Sequence, residues 1–330
     1  MTDQLTPDSA AADPGAVSGA ESIAVRHDLA HVPLVDPTAK GGLVGVLKRR
    51  YLLSLMVKRE LRARYIGSKM GLAWSYINPF SRFLTFYFVF GIILGRGQVP
   101  HFAIHLFAGM VVVNLFTESF NSGTRSIMQN KSIVQKMPLP REIFPISSML
   151  VSLYHTGPQL VILVGACTVT GSFEPSWWGM LAALMAFCIV ILFGTGMGLM
   201  FSAINVMYRD WTRVVQIFTQ MLPFSVPMMY PYTLVHQRFE KVQIVEHLYL
   251  FNPITEAVLL MQRAFWITTV SKADADAAGE EFGFQAGLDV NFPHHLFERG
   301  LIFIGASMLF LAFSQWVFTR LDDRIPDRLI

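Results

Sequence analysis

The sequence has few charged residues and few cysteines. Asp, Glu, Lys and Arg make up only 15% of its 330 residues, whereas a soluble domain carries about 25%. Its two cysteines, Cys167 and Cys188, are too few for a disulfide framework or a cysteine-rich metal cluster. A net charge of +3 gives no indication of nucleic-acid binding. Because 53% of the residues are hydrophobic and the mean hydropathy is +0.44, the composition excludes a disordered chain and predicts a membrane protein.

Sequence motifs of enzymes are also missing. No glycine-rich loop ends in Gly-Lys-Ser or Gly-Lys-Thr, so the chain is not expected to hydrolyse ATP by that route. The nine histidines do not fall at metal-ligand spacings, and the adjacent His294 and His295 are a weak pair in a predicted loop. No serine lies in the strand-turn-helix context of a nucleophile. We therefore predict no catalytic residue, no metal and no cofactor in this chain.

Six apolar runs are long enough to cross a membrane, since a spanning helix needs about 20 largely apolar residues. They cover residues 72–94, 102–120, 143–170, 178–207, 214–235 and 300–319. Most of the 26 Lys and Arg residues lie before the first run, after the second and fourth, or after the sixth, which places both termini in the cytoplasm. The predicted fold class is an all-α polytopic membrane protein with six transmembrane helices. Pro158 is expected to kink the third span, and Pro223 and Pro227 to break the outer end of the fifth.

The segments outside these runs differ in charge. Residues 1–40 hold six acids against two bases and predict a disordered acidic cytoplasmic tail. Residues 41–71 hold eight bases against one acid, which favours an N-terminal amphipathic interfacial helix, although a plain positively charged flank would have the same composition. Residues 72–330 form the predicted transmembrane domain. Its long outer loop, 231–299, contains an interrupted apolar patch that predicts re-entrant helices between spans five and six.

Ionisable groups within the predicted spans are few. They are Arg82, Glu118, His105 and His155, and the last three spans have none. Such groups are costly in a membrane and usually mark function. A midplane carboxylate typical of ion-coupled carriers is not evident, so any energy for transport is expected to come from a partner protein. Gly194 and Gly198 form a Gly-x-x-x-Gly pair that predicts close helix packing within the chain.

Four ordered blocks of sequence carry a resemblance to a known family. The first is VKRELRARYIGSKMGLAW at 57–74, followed by Asn78-Pro79, and the second is NKSIVQK at 130–136, followed by Pro140 and Phe144-Pro145. The third is Tyr208-Arg209-Asp210, and the fourth joins PMMYP at 227–231 to Asn252-Pro253-Ile254 and Arg263. Together they resemble the type-2 ABC exporter permeases that export polysaccharides such as O-antigen, teichoic acid and wall galactan. Within that branch the sequence looks most like the actinobacterial galactan exporter transmembrane subunit.

The resemblance implies a function and a set of partners. The chain would be the permease subunit of an exporter that carries a polyprenyl-diphosphate-linked polysaccharide out of the cytoplasm, and it would lie in the plasma (inner) membrane as a multi-pass protein. It would work as a homodimer with two copies of a separate ABC ATPase, which bind ATP and Mg²⁺. Membrane lipid is a further expected partner, and nucleic acid is not.

The loop before the third span is short, basic and stiffened by prolines. The resemblance implies that it is the coupling helix that docks on the ATPase, through Asn130, Lys131, Gln135 and Lys136; the alternative is a routine cytoplasmic loop. In the interfacial helix, a second set of basic residues is expected to attract the diphosphate of the lipid carrier: Arg59, Arg62 and Arg64.

Three further sets are candidates for the transport path. Aromatic residues of the first span suit the C–H faces of sugars as a channel lining, although they also suit lipid-facing packing: Phe83, Phe86, Tyr87 and Phe90. Arg209 and Asp210 are candidates for an inner gate or for a local ion pair. Between two prolines, three residues form either a deformable outer gate or a capped helix end: Met228, Met229 and Tyr230.

Two other functions remain open at the level of sequence. One keeps the exporter and changes its cargo to a small lipid or drug. The other is an integral-membrane transferase acting on lipid-linked sugars, which would need carboxylates at the membrane face. The only acidic cluster available for it lies in a predicted solvated loop, at Asp274, Asp276, Glu280 and Glu281.

Overall fold

The regular structure of this protein is helical. The computed structural model describes residues 42–95, 99–137, 139–170, 176–239, 242–270 and 292–325, and every regular element within them is a helix. The predicted tail 1–40 and the acidic cluster at 274–281 lie outside these ranges. The first helices are α1 (Gly42–Lys48), α2 (Arg50–Tyr65) and α3 (Trp74–Phe86). A 3₁₀ turn (Gly71–Ala73) precedes α3, and a π-helical segment (Tyr87–Ile93) continues it.

The remaining helices follow in chain order. They are α4 (Phe102–Gln129), α5 (Lys131–Lys136), α6 (Ile143–Val169), α7 (Trp177–Met207), α8 (Trp211–Ser225), α9 (Tyr232–Phe239), α10 (Gln243–Leu250), α11 (Pro253–Phe265) and α12 (Leu296–Asp322). Local sequence explains several starts. The Ser176 hydroxyl accepts the Gly179 N–H at the start of α7, and the Asn252 side chain accepts the Ile254 N–H ahead of α11, where Pro253 occupies the first turn.

Four of these helices, α4, α6, α7 and α12, are long and apolar enough to cross a membrane. The pair Ile244–Leu250 and Pro253–Thr269 meets at a bend of 75° and gives a fifth candidate, either a broken span or a re-entrant loop. The chain is therefore an integral membrane protein. The predicted first and fifth spans correspond to α3 with its π-helical continuation and to α8, which do not pass the same test. The count of six spans and the cytoplasmic termini thus remain predictions.

Two helices differ in extent from the predicted spans. The second is expected to end at residue 120, but α4 continues for another nine residues to Gln129. Polar side chains there lower the hydropathy without breaking the helix, because Thr124 and Ser126 donate to backbone carbonyls of the preceding turn. The fifth is expected to reach residue 235, but α8 ends at Ser225. Pro227 has no N–H to continue the helix, and the residue before it is extended.

Helix α4 lies at the centre of the described structure. Its apolar window is mostly buried, by α6, α7, α8 and α11, whereas α12 packs on α7 and leaves most of its own surface exposed. Near the end of α4, a Cβ on Gly123 would lie 2.8 Å from the Cα of Gly198 in α7. One turn away, a Cβ on Gly194 would lie 2.9 Å from the Ser119 hydroxyl. The predicted packing role of Gly194 and Gly198 is confirmed.

We expect Gly123→Ala to lower the free energy of unfolding by about 1–3 kcal/mol, the usual cost of overpacking. The added methyl group would meet backbone rather than a side chain that can rotate away. The measurement is thermal unfolding in detergent. Gly165→Ala is the matched control, since its Cβ would meet nothing within 4 Å and a helical alanine is favoured over glycine. Equal melting temperatures for the two variants would contradict the close crossing.

Helices α1 and α2 pack against one end of the long helices. Val46 and Leu53 are buried in a cluster with the ends of α4, α6, α7 and α12, to which Ile127, Ile143 and Phe318 contribute. The basic segment of the sequence is therefore folded onto the membrane helices, and a shift of α2 bears directly on α6, against which it packs.

Candidate functional site

A cavity of about 980 Å³ lies between α2, α3, α4, α6 and α8. One face of α4 forms its longest wall, and the lining residues recur every three or four positions from Met110 to Arg125. At 1.5 Å per residue this face is about 22 Å long, which is most of the hydrocarbon thickness of a bilayer. Opposite it, α8 contributes a face from Gln216 to Pro223 with the same spacing.

The walls of this cavity are rich in amides and hydroxyls. The amides belong to Asn78, Asn114, Asn121, Gln159, Gln216 and Gln220, and the hydroxyls to Tyr65, Ser75, Thr117, Ser122 and Thr219. Some bond to one another: the Asn114 amide donates to Gln159 Oε1 at 3.0 Å, and the Asn121 amide donates to the Thr219 hydroxyl at 2.9 Å. Polar groups are costly in membrane helices unless they face a wet or ligand-filled space. This cavity is therefore the candidate functional site.

A charged cluster occupies the wall where α2, α4 and α6 meet. Arg64, at the end of α2, donates to the Glu118 carboxylate and, at 3.2 Å, to the Ser122 hydroxyl. His155 Nδ1 lies 2.7 Å from Glu118 Oε1, and its Nε2 lies 3.0 Å from the Tyr65 hydroxyl, which in turn lies 2.6 Å from the Ser75 hydroxyl. If His155 donates from Nδ1 to Glu118, its Nε2 can accept the Tyr65 hydroxyl. Arg64 Nη1 also lies 2.9 Å from His155 Nδ1, so Arg64 and His155 both approach the same carboxylate. The cluster therefore ties the interfacial helix to two membrane helices.

Glu60, one turn before Arg64, is a second point where α2 meets α6. Its carboxylate accepts the hydroxyl of Ser148 at 3.2 Å and that of Ser147 at 3.5 Å. Burial raises the pKa of Glu60 above its ordinary value, and the nearby Arg64 and the two hydroxyls offset this only in part. The folded protein therefore holds this proton more tightly than the unfolded chain does.

We expect Glu60→Gln to weaken the pH dependence of stability. Since the folded pKa is raised, the wild-type protein gains stability from this group below about pH 4.5 and loses it as the pH rises through the folded value. The glutamine variant can still accept the hydrogen bonds from the two serines, but it has no proton to lose in this range. Its melting temperature is therefore expected to fall less than that of the wild type between pH 4.5 and pH 7. Glu298→Gln, at a side chain that is 74% exposed, is the control. Parallel melting curves for wild type and Glu60→Gln would contradict this prediction.

Of the four aromatic residues predicted to line the channel, only one lines the cavity. Phe86 lines the cavity. Phe83 meets Phe107 edge-on at 5.3 Å, and Tyr87 stacks on Phe102 at 6.3 Å, so both pack towards the core. Phe90 packs against the same core and meets Phe86 at 6.4 Å. The structure thus brings one member of this set to the cavity and places three beside it.

The interfacial arginines and the predicted coupling helix meet at one contact. Arg59 donates to the Asn130 side chain at 2.7 Å, and Asn130 lies at the junction of α4 and α5. Helix α5 carries Lys131 and Lys136 at its ends, with Gln135 between them. Arg62 lies exposed on α2, whereas Arg64 belongs to the charged cluster described above. The three arginines of the predicted headgroup site therefore have three different surroundings.

The residues of the two predicted gates lie at opposite ends of α8. Arg209 and Asp210 form the exposed turn between α7 and α8, and no ion pair joins them in the described part of the chain. Met228 and Met229 are fully buried, and Met228 lines the cavity and packs on Gly109. The Tyr230 hydroxyl donates to the Phe224 carbonyl at 3.1 Å, which closes the turn after α8.

A buried ion pair supports the bent pair of outer helices. Glu256 of α11 is fully buried, and its Oε2 accepts Arg299 Nε at 3.3 Å. Arg299 also donates to the Leu250 carbonyl at the end of α10, at 3.0 Å. Neither Glu256 nor Arg299 is among the residues singled out from the sequence. The signal that was missed is a lone carboxylate on an otherwise apolar helix face, which requires a cationic partner.

Comparison with known proteins places these features in a family. Residues 51–266 match the family model described as ABC-2 type transporter. An O-antigen export system permease protein from Klebsiella pneumoniae is 27% identical over 224 residues, which cover 67% of this chain and 82% of that protein. One from Myxococcus xanthus is 25% identical over 217 residues, covering 66% and 81%. A polysialic acid transport protein from Escherichia coli is 21% identical over 208 residues, covering 62% and 78%.

Proposed function

Since this chain belongs to the ABC-2 type transporter family, we propose that it is the permease subunit of an ATP-driven exporter of lipid-linked polysaccharide. The cargo would move from the cytoplasm to the outer side of the plasma (inner) membrane. Relatives named for the export of O-antigen and the transport of polysialic acid support a polysaccharide cargo. A polyprenyl-diphosphate link and a wall-galactan type of polymer follow from the resemblance of the four sequence blocks.

The observation that carries this proposal is the polar cavity along α4. Amides and hydroxyls spaced over about 22 Å suit a ligand that offers hydroxyl groups along its whole length, as a sugar chain does. A small lipid or a hydrophobic drug would gain little from such walls, because their polar groups would lose water without finding partners. The cavity therefore favours a polysaccharide over the small-lipid cargo that the sequence left open.

The contacts of α5 suggest how a movement of the ATPase would reach the cavity. We place the ABC ATPase, in two copies with ATP and Mg²⁺, against α5, and a second copy of this chain across the transport path. Movement of α5 would reach α4 directly at the Asn130 junction and α2 through the bond from Arg59. From α2 it would reach the cavity through Arg64 and Glu118. The turn at Arg209 and the buried Met228 would bound the path at its inner and outer ends.

The test is depletion of the protein in cells supplied with radiolabelled sugar precursors. We expect full-length lipid-linked polymer to accumulate in the membrane on its cytoplasmic side, and its transfer to the outside to stop. Unchanged amounts of lipid-linked polymer would contradict the polysaccharide proposal and favour the small-lipid exporter.

Complementation with a cavity variant makes the test specific to the site. Replacing Asn114 and Gln159 together by Leu removes a bonded amide pair from the wall, and neither partner is left unsatisfied. Export is expected to fall at least tenfold while the protein still folds and assembles. Val161→Leu, at a side chain that is 71% exposed on α6, is the control and should restore export fully.

A further inference from the structure

The polar cavity carries an excess of positive charge. Three arginines, Arg64, Arg82 and Arg125, line it, against one carboxylate among the described residues, that of Glu118. Glu118 is paired with Arg64. Two positive charges are therefore left on the walls. Because guanidinium groups without a counter-charge on the walls of a cavity attract anions, this excess favours the entry of an anion into the cavity.

The two arginines not paired with Glu118 are Arg82 and Arg125, and Arg82 lies within a predicted membrane span. It follows Trp74 by eight residues, which places it about 12 Å along α3 and far from either end of the helical stretch. Within the described ranges no carboxylate or other acceptor is bonded to its guanidinium. Asn78, one turn before it, and Phe86, one turn after it, line the cavity as well. Arg82 therefore offers its donors to the cavity itself.

Arg125 reaches the same cavity from α4. It lies about two turns beyond Glu118 on the cavity face. Its Nε donates to the Asn121 backbone carbonyl at 3.2 Å, which fixes the direction of the side chain. Its two terminal nitrogens have no acceptor in the part of the chain that the structure describes. A held guanidinium with two free donors is suited to bind a planar or tetrahedral oxyanion through paired hydrogen bonds.

We propose that Arg82 and Arg125 form a binding site for the phosphate or diphosphate group of a membrane lipid inside the polar cavity. The inference rests on the proposed function, because the phosphate of most interest is the one that joins the cargo to its lipid carrier. The headgroup site then lies in the cavity rather than on the interfacial helix. On the interfacial helix, Arg59 already donates a hydrogen bond to Asn130, and Arg64 donates one to Glu118. A phospholipid headgroup offers the same chemistry, so the experiment separates the two sources.

The experiment is a titration of the purified full-length protein followed by native mass spectrometry, which counts bound molecules. The ligand is geranylgeranyl diphosphate, and geranylgeraniol tests for binding through the isoprenoid alone. We expect the diphosphate to bind and the alcohol to bind at least tenfold more weakly. Arg82→Gln and Arg125→Gln should each weaken diphosphate binding about tenfold, and the double variant about a hundredfold. Arg82→Lys should retain part of the affinity, and Arg50→Gln, at an exposed position of α2, all of it.

Competition then identifies the source of the phosphate. If phosphatidylglycerol does not displace the diphosphate, the site belongs to the lipid carrier. If it displaces it equally well, the site accepts lipid phosphates in general. Unchanged binding in the double variant would overturn the proposal, as would equal binding of geranylgeraniol. Loss of binding in Arg62→Gln but not in Arg82→Gln would return the headgroup site to the interfacial helix. The same spectra report the oligomeric state, so dissociation of Arg82→Gln without loss of binding would assign Arg82 to a subunit contact.

This result is independent of the depletion experiment. Arginine-dependent diphosphate binding together with unchanged lipid-linked polymer in depleted cells would refute the polysaccharide cargo and keep the anion site. Stalled polymer together with unaltered binding in the double variant would refute the anion site and keep the exporter.

Discussion

We expect Arg299→Met to lower the free energy of unfolding by about 3 kcal/mol or more, the largest effect of any single substitution considered. The variant leaves the Glu256 carboxylate fully buried without its cation. It also removes the donor to the Leu250 carbonyl at the bend between α10 and α11. The measurement is unfolding in mixed micelles, followed by tryptophan fluorescence.

The double variant Glu256→Met/Arg299→Met separates ion pairing from packing. If the cost of the single change is that of an orphaned buried charge, the double variant should recover most of the lost stability, because apolar replacements of a buried pair are often neutral. Arg324→Met, at an exposed position, is the control for loss of a charge. A double variant as unstable as the single one would argue against this explanation.

Arg64→Met should reduce polymer export at least tenfold while it costs only about 1.5 kcal/mol of stability. The Arg64 side chain is 33% exposed and Glu118 27%, so solvent screens the pair and the loss lies at the low end for a hydrogen-bonded charge. Its functional effect is expected to be larger, because Arg64 joins α2 to the cavity wall and balances the charge of Glu118, which would otherwise repel an anionic ligand. Export in complemented cells and unfolding of the purified protein are the two measurements.

A double-mutant cycle with Glu118→Gln tests the coupling between the two side chains. If they act as a pair, the combined variant should be less impaired than the sum of the single changes. Arg50→Met, on the same helix, should leave export unchanged. Additive losses would show that Arg64 acts independently of Glu118.

Much of the helical framework could be predicted from hydropathy, and the exceptions have physical reasons. The ends of the third and fourth spans agree with α6 and α7 to within one residue, because each helix is apolar over most of its length. The predicted second span stops short of the end of α4, because polar side chains in the last turns lower the hydropathy while they bond to the backbone of the same helix. A hydropathy scale cannot distinguish such turns from a loop.

The candidate site was less accessible to sequence reasoning. Arg82, Glu118 and His155 could be singled out as ionisable groups within spans, but the approach of Glu118 to His155 joins positions 37 apart. The polar face of α4 was missed altogether. Asn114, Thr117 and Asn121 recur every three or four residues within an apolar helix, and Ser122 lies beside the last of them. Polar periodicity in a span would have predicted the cavity, since the same helical geometry that groups apolar residues also groups polar ones.

The close crossing at Gly123 lies near one end of α4 and divides the helix into a short part and a long part. If α4 tilts when α5 moves, this close contact between two backbones is the point about which it would turn. The short part, from Gly123 to the end of α4 beside α5, has six residues and is about 9 Å long. The long part, from Gly123 back to Phe102, has 21 residues and is about 31 Å long. A displacement of 1 Å at α5 would then become one of about 3.5 Å at the far end of the helix, and most of the cavity wall lies on that longer side.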